Sequence, residues 1–321
     1  MKKVLIASSA LLLGAGAAAA QEATIDGSAR FGLAYNDANA DDFRIEQRLR
    51  INLRGSTTTD AGLELSARFR LESNEAADNS IAGRGPGAAE FTAETGGFRL
   101  DVGNTSDVID SGDVVDYYGF GIGLTSFIEH NSAFYDAGDV DAGNGLGLTL
   151  PIGGFGAGDS DVTTIKVRYT AGDFTVAASY SEDRNTAPVD DVEEMQIGVG
   201  YNFGNYSVGV AYGSEDGGVE DFWVATFGGD IGALGFSVVV GDSDVFEDVA
   251  YGFSVSYDVG AATEIRFAVS DGGADVAGVS DDTAVGIGFR HSLGGGVTLA
   301  GGVGQGTAGQ TLADLGVSFS F

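Results

Sequence analysis

Residues 44–54, with the sequence RIEQRLRINLR, alternate between apolar and polar side chains. Successive side chains of an extended strand point to opposite sides, so this stretch would have one apolar and one charged face. Gln47 is the one polar residue on the apolar side. The apolar face carries Ile45, Leu49, Ile51 and Leu53, and the other face carries Arg44, Glu46, Arg48, Arg50, Asn52 and Arg54. The pattern predicts a β-strand between an apolar and an aqueous environment.

The next segment repeats the alternation, with Leu65, Phe69 and Leu71 on one side and charged or hydroxyl side chains on the other. Sixteen segments predict strands by this pattern and by the turn residues at their ends. They are residues 24–35, 44–57, 62–72, 90–95, 98–104, 161–170, 174–181, 193–203, 206–215, 221–230, 234–243, 248–258, 263–271, 281–292, 297–306 and 311–321. We therefore expect an all-β protein.

Tight and long connections alternate between these predicted strands. The tight ones contain glycine, as at 96–97, 172–173 and 204–205. The long ones are rich in acidic residues and include 73–89, 105–160, 182–192 and 272–280. Short turns at one rim and long loops at the other are typical of a transmembrane β-barrel with an even number of strands. A β-sandwich gives no reason for this parity.

A barrel in a membrane would place the apolar faces outward. A sheet in hydrocarbon must close on itself, because no backbone donor or acceptor can stay unpaired there. At about sixteen strands the interior is too wide for side chains to fill and remains an aqueous channel that can hold the arginines. The alternative is a soluble β-sandwich or barrel with the same faces reversed, which periodicity alone does not separate from the membrane barrel.

Residues 1–20 have the composition of a secretory signal peptide. Lys2 and Lys3 open a basic start, an apolar stretch follows, and small residues precede Gln21. The mature barrel would then span residues 21–321. No later stretch has the roughly 18 consecutive apolar residues that a membrane-spanning helix requires, so a membrane location would have to use strands. The sequence has no cysteine, so an exported fold would be held together without disulfides.

The charge balance is strongly acidic. There are 47 acidic and 16 basic residues, for a net charge of −31 at pH 7, which argues against nucleic acid as a partner. More than half of the basic residues lie between Arg30 and Arg99. Alternation places eight of them on the charged faces of neighbouring strands: Arg30, Arg44, Arg48, Arg50, Arg54, Arg68, Arg70 and Arg99. Because guanidinium groups stay charged side by side, we expect a stable basic patch, named the arginine wall below.

The chain ends on Leu315–Phe321, which alternates apolar and small residues and stops on an aromatic. This resembles the C-terminal strand of bacterial outer-membrane barrels, whose assembly signature is a final phenylalanine, here Phe321. With the opening Asp26–Gly32, the turn Gly55–Glu64, the internal Tyr201–Tyr206 and the ending Leu312–Val317, the whole mature chain is similar to the trimeric general porins, in particular their alphaproteobacterial branch.

The resemblance implies a closed sixteen-stranded antiparallel barrel with short periplasmic turns and long extracellular loops. It also implies three copies per assembly in the lipid and lipopolysaccharide of the outer membrane, and passive diffusion of small hydrophilic solutes. The third extracellular loop, within 105–160, would fold into the lumen. Its acids Asp107, Asp110, Asp113, Asp116 and Glu129 would then face the arginine wall across a constriction.

Such opposed charges would create a transverse field that favours polar or charged solutes, with selection by size and charge. The competing interpretation of the arginines is a solvated face with scattered ion pairs to Glu46, Glu64 and Glu72. For the acids it is calcium binding, because clustered carboxylates suit a hard cation. Candidates are Asp139, Asp141 and Asn144, and the pairs Asp190–Asp191 and Glu193–Glu194, but no EF-hand spacing is present, so no ligands are assigned.

We do not expect an enzyme, since the chain has only two histidines, His130 and His291, and no catalytic motif. His130 is the one candidate for acid–base work, and its other interpretation is a polar loop residue. A barrel with a plugged lumen is a third class, but a plugged transporter needs more strands and a separate plug domain, for which the chain is too short.

Overall fold

The structure is a computed structural model. It describes residues 21–75, 81–86, 89–134, 162–183, 192–216, 221–243, 248–273 and 283–321. The predicted signal peptide (1–20) and the part of the long loop beyond residue 134 lie outside the described residues. Within those described ranges, no helix is long and apolar enough to cross a membrane.

The described residues contain seventeen strand segments and one short 3-10 helix, Ser132–Phe134. The strands are β1 Gln21–Asn36, β2 Phe43–Thr58, β3 Glu64–Glu75, β4 Ile81–Pro86, β5 Glu90–Thr95, β6 Phe98–Gly103, β7 Val162–Ala171, β8 Phe174–Asp183, β9 Val192–Phe203, β10 Tyr206–Asp216, β11 Asp221–Ile231, β12 Leu234–Ser243, β13 Asp248–Gly260, β14 Thr263–Gly273, β15 Ala284–Gly294, β16 Val297–Gln305 and β17 Thr311–Ser320.

Apart from β4 and β5, each strand pairs antiparallel with its sequence neighbours, and β17 pairs with β1 to close the sheet. Backbone hydrogen bonds continue this seam to the chain's end, where Gly27 N donates to Phe321 O at 2.9 Å and Phe321 N donates to Gly27 O at 3.0 Å. β4 and β5 pair with different parts of β3, so the two segments together occupy one strand position in the barrel. The predicted closed barrel of sixteen antiparallel strands is confirmed for the described part of the chain.

All sixteen predicted strands are present, with ends moved by a few residues. The prediction of a loop over 73–89 is wrong in part, because β3 continues to Glu75 and Ile81–Pro86 forms β4. The segment IAGRGP has two glycines, a proline and one large apolar residue, so it shows no alternation that would mark a strand.

The two faces of the sheet are oriented as predicted for a membrane barrel. In β2, Ile45 is 61% exposed on the outside, whereas the next residue, Glu46, is 1% exposed on the inside. Other large apolar side chains exposed on the outer face include Phe31, Leu33, Phe91, Ile165, Ile197, Tyr212, Ile287 and Leu315. The buried apolar residues do not form a core between two sheets. They lie mainly inside the barrel.

Those buried residues belong chiefly to the loop that follows β6, described over 104–134 and named the lumen loop. Val108, Ile109, Tyr117 and Phe134 pack against small and apolar side chains of β8–β13, and Ile122 and Ile128 pack against Ala268 and Ala284. The loop lies so close to the wall that a Cβ on Gly209 would come within 1.7 Å of Val114 O, and one on Gly252 within 1.5 Å of His130 O. Glycine is required at these two positions by close backbone approach.

Candidate functional site

The lumen loop runs around more than half of the inner wall and is bonded to it at successive strands. Its backbone N–H groups donate in turn to Ser179 on β8, Gln196 on β9, Thr226 on β11 and Ser254 on β13. It reaches Asp314 on β17 with Leu124 and Thr125 and then returns to Ser270 on β14 with Ala133. The inward-folded third loop implied by the family resemblance is thus observed over its described residues.

The arginine wall occupies the remaining part of the circumference. Its members lie on β1, β2, β3 and β6, which pair in the order β1, β2, β3, β5, β6. Arg30 lies directly opposite Arg48, and Arg54 directly opposite Arg68, in the strand register. Like charges directly opposite each other repel, so the wall needs compensating acids or water.

Buried carboxylates supply much of that compensation. Glu46 accepts from Arg30 Nε at 2.7 Å and from Arg44 Nη1 at 2.6 Å. The other ion pairs are Arg50 with Glu72 at 2.7 Å, Arg68 with Glu90, and Arg99 with Asp101 at 2.9 Å. The sequence interpretation of scattered ion pairs therefore holds for Glu46 and Glu72, while Glu90 and Asp101 were missed, although they fall on the same inward face by alternation.

Arg48 and Arg54 are different from their neighbours. Within the described ranges neither side chain makes a hydrogen bond or an ion pair, and Arg54 is exposed. Arg70 donates to the neutral side chain of Asn52 at 3.0 Å. Arg48 and Arg54 have no bonded carboxylate within those ranges, so their electric field stays available to a passing solute, whereas a bonded carboxylate largely neutralises the field of a paired arginine. The wall is therefore a mixture of paired and unpaired arginines.

The five predicted loop acids have separate environments. Asp107 is fully buried between the loop and the wall, where its Oδ1 accepts from Asp110 N at 2.8 Å. Burial, with the nearby charge of Asp110, raises the pKa of Asp107 to about 7. Asp107 therefore does not line the open channel, in contrast to the expectation that it faces the arginine wall.

Asp113 is bound to two cations that the sequence analysis did not single out. Its carboxylate accepts from Lys166 Nζ at 3.0 Å and from Arg168 Nη1 at 2.5 Å, both on β7. Burial alone would raise the pKa of Asp113, but these two cations lower it below its ordinary value. Lys166 and Arg168 could have been found from the alternation of residues 162–171, and Arg168 lies directly opposite Arg99. They extend the basic surface to β7.

The remaining three acids are more accessible. Asp116 is exposed, with Oδ2 accepting from Ser237 Oγ at 2.6 Å, and Asp110 is partly exposed and accepts from Tyr118 OH at 2.6 Å. Glu129 is partly exposed too. Burial, with the charge of Asp116, raises the pKa of Glu129 to about 8, so this side chain is mostly neutral at pH 7.

His130 is enclosed rather than available for chemistry. It is 0% exposed, with Nε2 lying 3.1 Å from Asp116 O and Nδ1 3.4 Å from Ser254 Oγ. Burial lowers its pKa below the ordinary value, which keeps the ring neutral. Across the described residues, no group of three or more His, Asp or Glu side chains could hold a metal ion. Asp139, Asp141, Asn144 and the pair Asp190–Asp191 lie outside those residues, whereas Glu193 and Glu194 lie on β9. Calcium binding therefore stays a prediction.

A closed barrel with an apolar exterior, a charged interior and a loop folded into the lumen defines a channel of the outer-membrane type. The chain matches, over residues 7–311, the family described as Gram-negative porin, and it belongs to that family. The resemblance to alphaproteobacterial porins is thereby confirmed, as are the prediction of a transport channel and the prediction that the protein is not an enzyme. Members of this family reside in the outer membrane.

Relatives and solved structures agree with this assignment. A porin of Fuscovulum blasticum is 31% identical over 317 residues, covering 94% of this chain and 100% of the relative. A porin of Rhodobacter capsulatus is 27% identical over 335 residues, with the same coverage of 94% and 100%. An engineered variant of the Rh. blastica porin superposes with a TM-score of 0.74 at 28% identity, over 94% of this chain and 100% of that structure.

Proposed function

We propose that this porin forms a water-filled channel for passive diffusion of small hydrophilic solutes, narrowed where the lumen loop faces the arginine wall. The observation that carries the proposal is the distribution of the loop's partners. They lie on β7 to β17, so the cation-bearing strands β1 to β6 are the part of the wall opposite the loop.

The acidic side of the constriction would consist of Asp110, Asp116 and, at alkaline pH, Glu129. Asp107 is excluded by its burial, and Asp113 is committed to Lys166 and Arg168. On the basic side, Arg48 and Arg54 would contribute most, because no carboxylate in the described part of the chain is bonded to them. A transverse electric field between these groups orients the water in the channel. Solutes that cannot replace the interactions of this ordered water are disfavoured, so passage depends on size, polarity and charge.

Arg48 provides the sharpest test of the basic side. Replacing Arg50 would leave Glu72 buried without its bonded arginine, and replacing Arg68 would remove the closer of the two arginines paired with buried Glu90, so either change would destabilise the barrel. Arg48→Gln leaves no such orphan. We expect the reversal potential in a salt gradient to shift toward cation selectivity in Arg48→Gln and to stay at the wild-type value in Arg48→Lys, which retains the charge. Equal reversal potentials in all three proteins would contradict a role for Arg48 at the constriction.

We further propose that the functional unit is a homotrimer embedded in outer-membrane lipid and lipopolysaccharide, after cleavage of residues 1–20. The support is the family resemblance together with the apolar outer face, which includes Phe31, Leu33 and Ile45. Native mass spectrometry of the mature protein in detergent should give the mass of three chains, and a stable monomer would contradict the proposal. Calcium at the acidic extracellular loops is compatible with this assembly and is proposed without assigned ligands.

A further inference from the structure

We infer that Asp314 is a positioning residue that fixes the turn of the lumen loop and thereby sets the width of the channel. The turn, named the anchor turn, comprises residues 121–128. It is closed by Ile122 N donating to Ile128 O at 2.8 Å and Phe127 N donating to Ile122 O at 3.1 Å. The inference deepens the proposed function, because it assumes that the lumen loop narrows the channel.

Asp314 holds the anchor turn through three hydrogen bonds. Its Oδ1 accepts from Leu124 N at 2.8 Å, and its Oδ2 accepts from Thr125 N and Thr125 Oγ1 at 2.8 and 2.9 Å. Asp314 itself is almost fully buried. Only a carboxylate offers two acceptor oxygens in this arrangement, because an amide would present an NH₂ donor to one of the two backbone N–H groups.

The carbonyl groups of the same turn are bonded to cations. Arg266 Nη1 donates to Gly121 O at 3.2 Å, and Arg290 Nη2 donates to Gly123 O at 3.4 Å. The turn is thus held by a carboxylate at its N–H groups and by guanidinium groups at its carbonyl groups. Apolar packing alone could let the turn slide along the wall, whereas these directional contacts define one position for it.

The location of Asp314 explains why the position of the turn matters to the channel. Asp314 lies on β17, directly opposite Ala34 of β1 in the strand register. β1 carries Arg30 and pairs with β2, which carries Arg48. Asp314 therefore fixes the far end of the lumen loop at the edge of the arginine wall, so release of the anchor turn would change the opening beside these cations.

Asp314→Asn is the direct test, because it keeps the size of the side chain and removes the second acceptor. The full chain is incorporated into planar bilayers and single-channel currents are recorded. We expect the open-channel noise to rise several-fold, with brief transitions between conductance levels, while the heat-modifiable migration of the folded barrel is unchanged. Asp314→Glu, which retains the carboxylate, should recover at least part of the quiet wild-type signal.

Asp26→Asn is the matched control. Asp26 faces the lumen from β1 and accepts a hydrogen bond from Asn52 Nδ2 at 2.7 Å. The variant loses the same charge as Asp314→Asn at a position away from the lumen loop, so its open-channel noise should equal that of the wild type. If Asp314→Asn does not fold, Thr125→Val removes one of the three bonds and should still raise the noise. Wild-type noise in Asp314→Asn, or in Thr125→Val where it is the variant used, overturns the inference. A wild-type protein that does not conduct would instead overturn the proposed function.

Discussion

Asp107 and Asp113 belong to the same loop, yet their surroundings move their pKa values in opposite directions. Asp113 faces Lys166 and Arg168, which favour its charged form. Asp107 is buried, and its Oδ2 has no hydrogen-bond partner among the described residues, so the charged form is disfavoured. A run of acidic residues in the sequence therefore does not behave as a uniform negative surface.

The raised pKa of Asp107 predicts a pH dependence of stability. The ordinary value is 3.8 and the folded value is about 7. Between these values the folded protein keeps a proton that the unfolded chain has lost, so the free energy of unfolding should fall as pH rises through this window and level off above it. In Asp107→Asn the contribution of Asp107 to this fall should be lost, so the slope should be shallower, and the variant should be more stable than the wild type at pH 8 by up to a few kcal/mol.

Thermal unfolding in detergent between pH 4 and 8 measures this effect. Asp60→Asn, in the exposed turn between β2 and β3, removes an acid from water and should keep the wild-type slope. Two other buried carboxyl groups of the wall, Glu194 on β9 and Glu215 on β10, are present in both the wild type and Asp107→Asn. A wild-type slope in Asp107→Asn would show that Asp107 is charged in the folded protein.

At the level of elements, the lumen loop and the wall beneath it depend on each other. The carbonyl oxygen of His130 lies so close to Gly252 on β13 that a Cβ atom on residue 252 would clash with it. The loop therefore needs a glycine at one position of a strand whose neighbouring buried inward residues are Ala250, Ser254 and Ser256.

Gly252→Ala should push the lumen loop away from β13. Overpacking of a well-packed contact costs about 1–3 kcal/mol, enough to raise the exchange of the backbone amides of residues 126–134, as measured by hydrogen exchange and mass spectrometry. Gly260→Ala is the control on the same strand, because a Cβ there would have no described residue within 4 Å. Equal exchange in both variants would contradict the close approach of the loop to Gly252.

The elements themselves could be predicted from sequence to a large extent. Alternation identified the barrel strands because successive residues of a strand face the outside and the lumen in turn, and this local requirement makes apolar and polar residues alternate. β4 was missed because Gly83 and Pro86 interrupt the pattern. The path of the lumen loop could not be predicted, since it rests on contacts such as Leu124 with Asp314 that join residues far apart in the chain.

For the whole molecule, net charge and local charge differ in sign. The chain carries −31 at pH 7, while the inner wall of β1 to β3, β6 and β7 gathers most of its cations. The sequence could predict the arginine wall from alternation, because β1, β2 and β3 are neighbours in the chain. It could not predict which arginines are paired, because that depends on the strand register, as with Arg50 and Glu72.

The open lumen is the central claim, and conductance in planar bilayers tests it most directly. The purified full-length barrel should insert in discrete steps of equal size, each giving a current proportional to voltage at low potentials, as expected for a permanent water-filled channel. A folded, heat-modifiable protein that inserts into the bilayer without producing ion-conducting steps would contradict it.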